Sequence, residues 1–478
     1  MKILHLAAEA IPYSKTGGLA DVAGSLPGEL KRLSQETIII IPKYGLIDDS
    51  KFRLAVERMP IKIGEQEWRV SFCRDDIAGV VPVYLLCHDE FFGCYQTVYH
   101  HHESRGFYLL AAAALEFLKL IDWRPDIIHC HDWHAALLPF LLKNNYQNDQ
   151  FFANTRTLLT IHNLSFQGEN STEVLRSDRG YGALPNLESP RLKKINFMKR
   201  GIIFADGVNA VSETYREEIM THQFGNYLER VLRKYRRKVV GITNGIDEKI
   251  FSPNSDPNVK HPYSPSSAHR QRPKNKLWLQ RHFRLALEKD IPLLTMASRL
   301  TNQKGIDLVI KILPEILKLD CQIIIVGSAG QKIARRLRAL AKLYPKKMAV
   351  KTDFQNQEIM SMIYAGSDFL VVPSRFEPCG LVQLLALRYG AIPIVRHVGG
   401  LADTVENYHP RKHRGNGFVF HGYNQTEFYG AVVRALETYH HRDDWRNLVR
   451  GVMEQSYSWE IPAKKYIKLY RRLLKGVK

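Results

Sequence analysis

The chain has 478 residues, 45% of them apolar, and a formal charge of +20. That length exceeds what one hydrophobic core serves, so two domains are expected, and no run of about eighteen uncharged apolar residues offers a membrane span. The charge favours anionic ligands through long-range steering, while the basic clusters at 230–238 and 332–347 lack the interleaved aromatics of a nucleic-acid groove.

In chain order, a strand is expected at 3–7, a helix at 19–33 and a strand at 37–41. The apolar start is short, is interrupted by His5 and Glu9, and runs into a glycine motif, so it reads as a buried strand rather than a signal peptide. A β-rich stretch at 68–86, a helix at 108–120, a strand at 126–130, a helix from 133 and a strand at 157–161 follow. This is a βαβ rhythm, which implies a mostly parallel sheet. The polar segment 251–276, with Pro253, Pro257, Pro262, Pro265 and Pro273, reads as a connector or surface excursion. The alternation then restarts, with strands at 292–297, 322–326, 369–372 and 391–395 and helices at 306–317, 332–343 and 381–389. Two α/β domains of comparable size are expected, with their boundary near 244–247 and a ligand cleft between them. Six scattered cysteines read as free thiols of a reducing compartment.

Open α/β sheets bind ligands at the carboxyl ends of their strands, and the chemically loaded segments fall there. Lys15-Thr-Gly-Gly-Leu-Ala-Asp21 follows the first strand and opens a helix. Its glycines suit a structural turn or a phosphate or sugar site equally, and the mobile cation Lys15 suits a nucleotide-sugar diphosphate. His129-Cys-His-Asp-Trp-His134 is dense in imidazoles, but spacings of two and three across a strand end do not set three on one face, so metal binding is disfavoured. Asp132 is expected to accept from sugar hydroxyls, and Trp133 to offer a flat apolar platform. His162 and Asn163 stand in another strand-end loop, where His162 fits core packing or a ligand rim.

Arg299 and Lys304, five apart across a turn, can converge on one diphosphate, with a solvated cation pair as the plain alternative. Ser374-Arg-Phe-Glu-Pro-Cys-Gly-Leu-Val-Gln383 puts Arg375, Glu377, Cys379, Gly380 and Leu381 after a strand. With Gly399-Gly400, it describes a pocket of backbone donors and one carboxylate, although Glu377 could merely cap the following helix. No carboxylate pair stands out as acid and base across a scissile bond, and neither GxSxG nor HExxH occurs. The residues therefore fit transfer of a group away from a phosphate better than hydrolysis.

Lys15-Thr-Gly-Gly-Leu-Ala-Asp-Val22, Asp132-Trp-His-Ala-Ala-Leu-Leu-Pro139, Thr160-Ile-His-Asn163, Asn244-Gly-Ile-Asp247, Ser298 to Gly305, Ser374 to Gln383 and Gly399 to Val405 give the chain its resemblance to bacterial glycogen synthases and plant starch synthases. The resemblance covers nearly the whole chain. It implies a GT-B type glycosyltransferase fold: two Rossmann-like domains facing a central cleft, 1–246 on the acceptor side, 247–455 for the nucleotide sugar, and a helix at 456–478 crossing back. The implied activity is that of an ADP-glucose:1,4-α-D-glucan 4-α-D-glucosyltransferase, which extends an α-1,4-glucan or maltooligosaccharide at its non-reducing end with retention. No cofactor, metal, nucleic acid or membrane is implied, and the expected location is the cytoplasm or a plastid stroma.

By the same resemblance Arg299 and Lys304 hold the diphosphate, Glu377 addresses the glucose ring and His162 borders the glucosyl group. Lys15, Gly17, Gly18, Asp21, Asp132, Trp133, Asn163, Asn244, Cys379, Gly380 and Leu381 are the further substrate contacts it implies. Leu385 stands where many double-Rossmann transferases carry a second glutamate, which fits this branch. Residues 222–228 and 280–284 depart from the family pattern and bear on acceptor length and efficiency. The alternatives are a same-fold transferase using UDP-glucose or another acceptor, and a non-catalytic glucan-binding regulator.

Overall fold

The apolar runs of the sequence become the central strands of two parallel sheets. The structure is a computed structural model that describes every residue except 64–65, 78, 100–102, 172–193, 354–356 and 477–478. The run His100 to His102, to which the sequence assigns no chemistry, lies outside the described residues. The chain divides into two units, Met1–Asn244 with Trp459–Lys478, and Gly245–Ser458.

The first unit holds β1 (Lys2–Leu6), β2 (Glu36–Pro42), β3 (Arg53–Ile63), β4 (Gln66–Ile77), β5 (Val81–Cys87), β6 (Ile127–His131), β7 (Arg156–Ile161), β8 (Glu169–Ser171), β9 (Lys194–Asn196), β10 (Gly207–Ala210) and β11 (Val239–Gly241). Nine of them form one sheet in the order β11-β10-β7-β6-β1-β2-β5-β4-β3, parallel through β5 and closed by the antiparallel pairs β5-β4 and β4-β3. β8 and β9 pair separately. The sequence order reverses on either side of β1, so the carboxyl ends of β1, β6 and β7 lie side by side at a switch point.

The helix Gly18–Arg32 packs its apolar stripe of Val22, Leu26 and Leu30 against Ile3 and Ile127. The C-terminal helix Glu460–Leu474 joins the same core through Tyr466, Ile467, Tyr470 and Leu473. No helix among the described residues is long and apolar enough to cross a membrane.

The second unit holds β12 (Leu293–Ala297), β13 (Gln322–Val326), β14 (Met348–Lys351), β15 (Phe369–Val372), β16 (Ile392–Arg396) and β17 (Phe418–Phe420), all parallel in the order β14-β13-β12-β15-β16-β17. Here β12 and β15 flank the switch point. Most of their residues are fully buried, which is why they read in the sequence as unbroken apolar runs.

One expectation fails. Residues 251–276 do not form a polar connector throughout, because Ala268–His282 is a helix with Pro273 inside it. Its inward stripe is polar: Arg272, Asn275, Lys276 and Gln280 are all buried, at spacings of three, one and four. Arg272 donates to the carbonyls of Tyr389, Ser367 and Tyr364. Lys276 Nζ donates to the carbonyls of Lys289 (3.0 Å) and Ile291 (2.9 Å) and pairs with Asp368 at 2.6 Å. Gln280 exchanges two hydrogen bonds with the backbone of Glu288. A helix recognised by an apolar period is invisible when its core-facing side chains are long and polar and reach the carbonyls at strand starts.

Candidate active site

In the second unit the chemistry gathers on the loops after β12 and β15. Thr301 to Lys304 makes one tight turn, and Gly305 follows with φ +80. A Cβ on Gly305 would lie 2.1 Å from the Pro373 carbonyl, so only glycine lets this turn press against the loop after β15. Gly400 serves a similar approach from the other side, where a Cβ would meet the Cys379 carbonyl at 2.1 Å. The result is a bidentate pair: Lys304 Nζ lies 2.9 and 2.6 Å from the two oxygens of Glu377. Ser374 Oγ donates to Oε2 of the same carboxylate at 2.8 Å. Glu377 is 5% exposed, so its charge is compensated before any ligand arrives. It does not cap the helix Val382–Arg388, whose N-cap position is Leu381.

Arg299 is different: it is exposed, and its guanidinium has no protein partner among the described residues. The backbone N-H groups of Gly380 and Leu381 likewise meet no protein acceptor among them. An exposed guanidinium, a fixed ammonium and two amides without protein acceptors among the described residues form a set suited to an anion. Cys379 is buried and forms no disulfide among the described residues.

Arg375, read from the sequence as a pocket residue, is instead a strut. It pairs with Asp307 at 3.0 Å and stacks 4.4 Å from the Tyr423 ring centroid, while Tyr423 donates to the other oxygen of Asp307 at 2.6 Å. Two loops are thereby tied together, and the guanidinium is spent on the tie.

In the first unit Gly17 is the N-cap of the helix that Gly18 begins. Glu9, which sequence reasoning passed over, accepts from the amides of Thr16 and Gly17. Burial pushes its carboxyl up to about 7 against the pull of those two amides. Lys15 pairs with Asp21 at 2.7 Å, and burial raises the Asp21 carboxyl despite that pair. The signal for Glu9 was present as an acid eight residues before a glycine pair.

Asp132 adopts a left-handed backbone, φ +57, at the end of β6. Its Oδ1 accepts from the backbone amides of His162 (2.7 Å) and Asn163 (3.3 Å). The expected sugar-hydroxyl acceptor is therefore first a clamp on the loop after β7. Trp133 also departs from its expected role: it is 8% exposed and packed edge-on against Phe107, 5.2 Å between ring centroids, so no platform face is offered. Asn163 Oδ1 accepts from the Ser165 amide at 3.0 Å, and Asn244, where the first segment of this unit ends, is buried with Oδ1 unpaired among the described residues.

Burial raises the Asp132 carboxyl to about 7, with Glu9 adding to the shift. A carboxyl raised on folding binds more protons in the native state than in the unfolded one between about pH 4 and 7, so its effect on stability worsens as pH rises through that window. Asp132→Asn keeps an oxygen for both amides and removes the charge. Its melting temperature should exceed that of wild type at pH 8, by a free energy of about 4 kcal/mol at most, and converge with it near pH 4. A constant offset at all pH values would contradict the assigned ionisation.

Behind this clamp three imidazoles, from β1, β6 and the loop after β7, form a chain. His5 Nδ1 lies 3.1 Å from His131 Nε2, and His131 Nδ1 lies 3.0 Å from His162 Nε2. His129 stands beside them, bonded to Tyr470 (2.8 Å) and Thr160 (2.6 Å). The only histidine set among the described residues that could hold a metal is thus His5, His129 and His131, with one ligand atom each within 4.8 Å of the others. It is not the 129, 131 and 134 set considered from spacing. Both nitrogens of His129 and of His131 already have hydrogen-bond partners, and His134 is stacked away against Tyr99.

The family described as starch synthase catalytic domain matches residues 2–234, and glycosyl transferases group 1 matches residues 280–451. The chain is 40% identical to a glycogen synthase of Bacillus anthracis, over 99% of this chain and 100% of that protein. It is 38% identical to a glycogen synthase of Anoxybacillus flavithermus, over 100% and 99%. The catalytic domain of starch synthase IV from Arabidopsis thaliana, solved bound to ADP and acarbose, superposes with a TM-score of 0.91 at 30% identity over 99% of each chain. A sucrose-phosphate synthase from Thermosynechococcus elongatus shares the fold at a TM-score of 0.62 and 19% identity, over 100% of both.

Proposed function

Because the chain belongs to the glycogen and starch synthase family of GT-B glycosyltransferases, we propose that it moves glucose from ADP-glucose to the non-reducing end of an α-1,4-glucan or maltooligosaccharide, with retention, in the cytoplasm. The observation that carries the site assignment is the buried Glu377 paired with Lys304, on whose loop the exposed Arg299 has no protein partner among the described residues. Such a set can hold a diphosphate and a polyol together: cations for the phosphates, a carboxylate for sugar hydroxyls, and the amides of Gly380 and Leu381 for either. ADP as the carrier is supported by the Arabidopsis starch synthase solved with it.

In this reading Arg299 and Lys304 stabilise the charge that grows on the diphosphate as the bond from glucose C1 to phosphate oxygen breaks. The glucan hydroxyl forms its bond to C1 on the same face, and its proton passes to the departing phosphate oxygen, so the diphosphate itself is the base. Lys15, Gly17 and Gly18 meet the donor's phosphate and sugar, His162 borders the glucosyl group, and Asp21, Asp132, Asn163 and Asn244 shape the loops that carry those contacts. No protein carboxylate has to supply a proton, which agrees with the lack of an acid and base pair in the sequence.

The test is a panel of ADP-, UDP- and GDP-glucose, each with a short and a long maltooligosaccharide. ADP-glucose should give a kcat/KM at least about tenfold above the others, the size of one or two lost base contacts. Equal use of UDP-glucose would overturn the donor assignment, and no glucan extension with any donor would overturn the activity.

A further inference from the structure

His162 has one ring nitrogen bonded to His131, while Nδ1 has no partner among the described residues and is not among the fully covered polar atoms. We infer that His5 and His131 are positioning residues that fix the tautomer of His162, placing its proton on Nδ1 so that this ring presents a hydrogen-bond donor to the glucosyl group. The inference rests on the proposed contact between His162 and that group.

The argument is one of hydrogen-bond accounting. Burial drives His5 and His162 down to about 3 and His131 well below the usual histidine range, so at neutral pH each ring is uncharged and carries one N-H. Each contact along His5, His131 and His162 needs one N-H and one lone pair. The two protons must therefore run in the same direction. If they run towards His162, the Nδ1-H of His5 donates to His131, the Nδ1-H of His131 donates to His162 Nε2, and the proton of His162 is forced onto Nδ1. If they run the other way, the proton of His5 sits on Nε2.

His5 Nε2 decides between the two. It is fully covered and has no hydrogen-bond partner, in a residue that is 0% exposed. A buried N-H without an acceptor is rarer in folded proteins than an under-satisfied acceptor. The direction that leaves a bare lone pair at His5 Nε2 is therefore favoured, and it is the one that puts the proton of His162 on the open side. The same accounting explains a histidine inside the apolar strand Lys2–Leu6: the first ring of the chain has to lie in β1, whose register sets His5 directly opposite His129, two residues before His131 and on the same face of the sheet.

The test begins with enzyme labelled with 15N in its histidines, the His162 ring being assigned by its disappearance in His162→Gln. The wild-type spectrum should show a protonated Nδ1 and a bare Nε2 for His162. A protonated Nε2 overturns the inference and leaves the glucosyl contact standing. His131→Phe should mix the tautomers and lower kcat about tenfold or more, with ADP affinity within about twofold as the check on folding. His131→Asn, whose amide nitrogen stands where His131 Nδ1 does, should restore the Nδ1-H signal and most of kcat. An asparagine variant indistinguishable from phenylalanine in both readouts would reduce His131 to packing. An Nδ1-H signal in a wild type whose His162→Ala variant is fully active would remove the glucosyl contact, and with it the inferred role.

Discussion

Glu377→Gln is expected to lower kcat by about a hundredfold or more while leaving the fold in place. The substitution is isosteric: its amide oxygen can still accept from Lys304 or Ser374, which now converge on the carboxylate at 2.6 to 2.9 Å. What disappears is the negative charge that holds the Lys304 ammonium in position and that, in the proposed function, accepts from sugar hydroxyls. Loss of one preorganised electrostatic contact at a transition state costs about 3 kcal/mol, a hundredfold or more in rate. Lys304→Ala should have an effect of similar size by the complementary route, since it removes the cation and leaves Glu377 buried without its partner. Because the two residues act as a pair, the double variant should be little worse than either single one. Melting temperature and ADP affinity measured on the same samples separate the chemistry from folding. Turnover within about threefold of wild type in a folded Glu377→Gln enzyme would end the assignment.

The largest stability effect is expected far from the chemistry, at Lys276→Met. The Lys276 side chain is 3% exposed and is held by Asp368, two carbonyls and the Tyr439 hydroxyl. Asp368 also accepts from the amide of Leu293 at 2.8 Å, so the pair pins the starts of the adjacent strands β12 and β15. Burial pulls the Lys276 pKa down, with Asp368 opposing, which marks how much hydration the ammonium has given up. Methionine fills the volume but leaves the Asp368 charge buried and unpaired, a loss of about 3 to 5 kcal/mol. For a unit of this size that is on the order of 10 °C in the melting temperature, seen by calorimetry. Lys276→Met combined with Asp368→Leu should recover part of the loss, because the stranded charge is gone. A single variant that melts within about 2 °C of wild type would show that the pair contributes no net stability.

Arg375 and Trp133 mark where reading residue types went astray. An arginine beside a strand-end carboxylate looks like a ligand contact, yet Asp307, sixty-eight residues earlier, already holds it. A tryptophan in a strand-end loop looks like a sugar platform, yet Phe107 and His134 cover its ring. In both cases a decisive partner, Asp307 or Phe107, comes from a distant segment, and local sequence carries no record of it. The helix Ala268–His282 was missed for a related reason: prolines and charges signal solvent unless the carbonyls that satisfy them are known to be near.

The sequence alone determined the class of fold, because strands buried on both faces must be continuous apolar runs and the helices between them must be amphipathic. It also marked the loops that bear chemistry, since glycines and charges at the carboxyl ends of such strands stand out against that background. Only the tertiary structure decided which of those groups meet. The Lys304 to Glu377 pair joins residues seventy-three apart, and the His5, His131 and His162 chain joins β1, β6 and the loop after β7. Those meetings depend on the order and register of strands in the sheet, which long-range packing sets and no local pattern encodes.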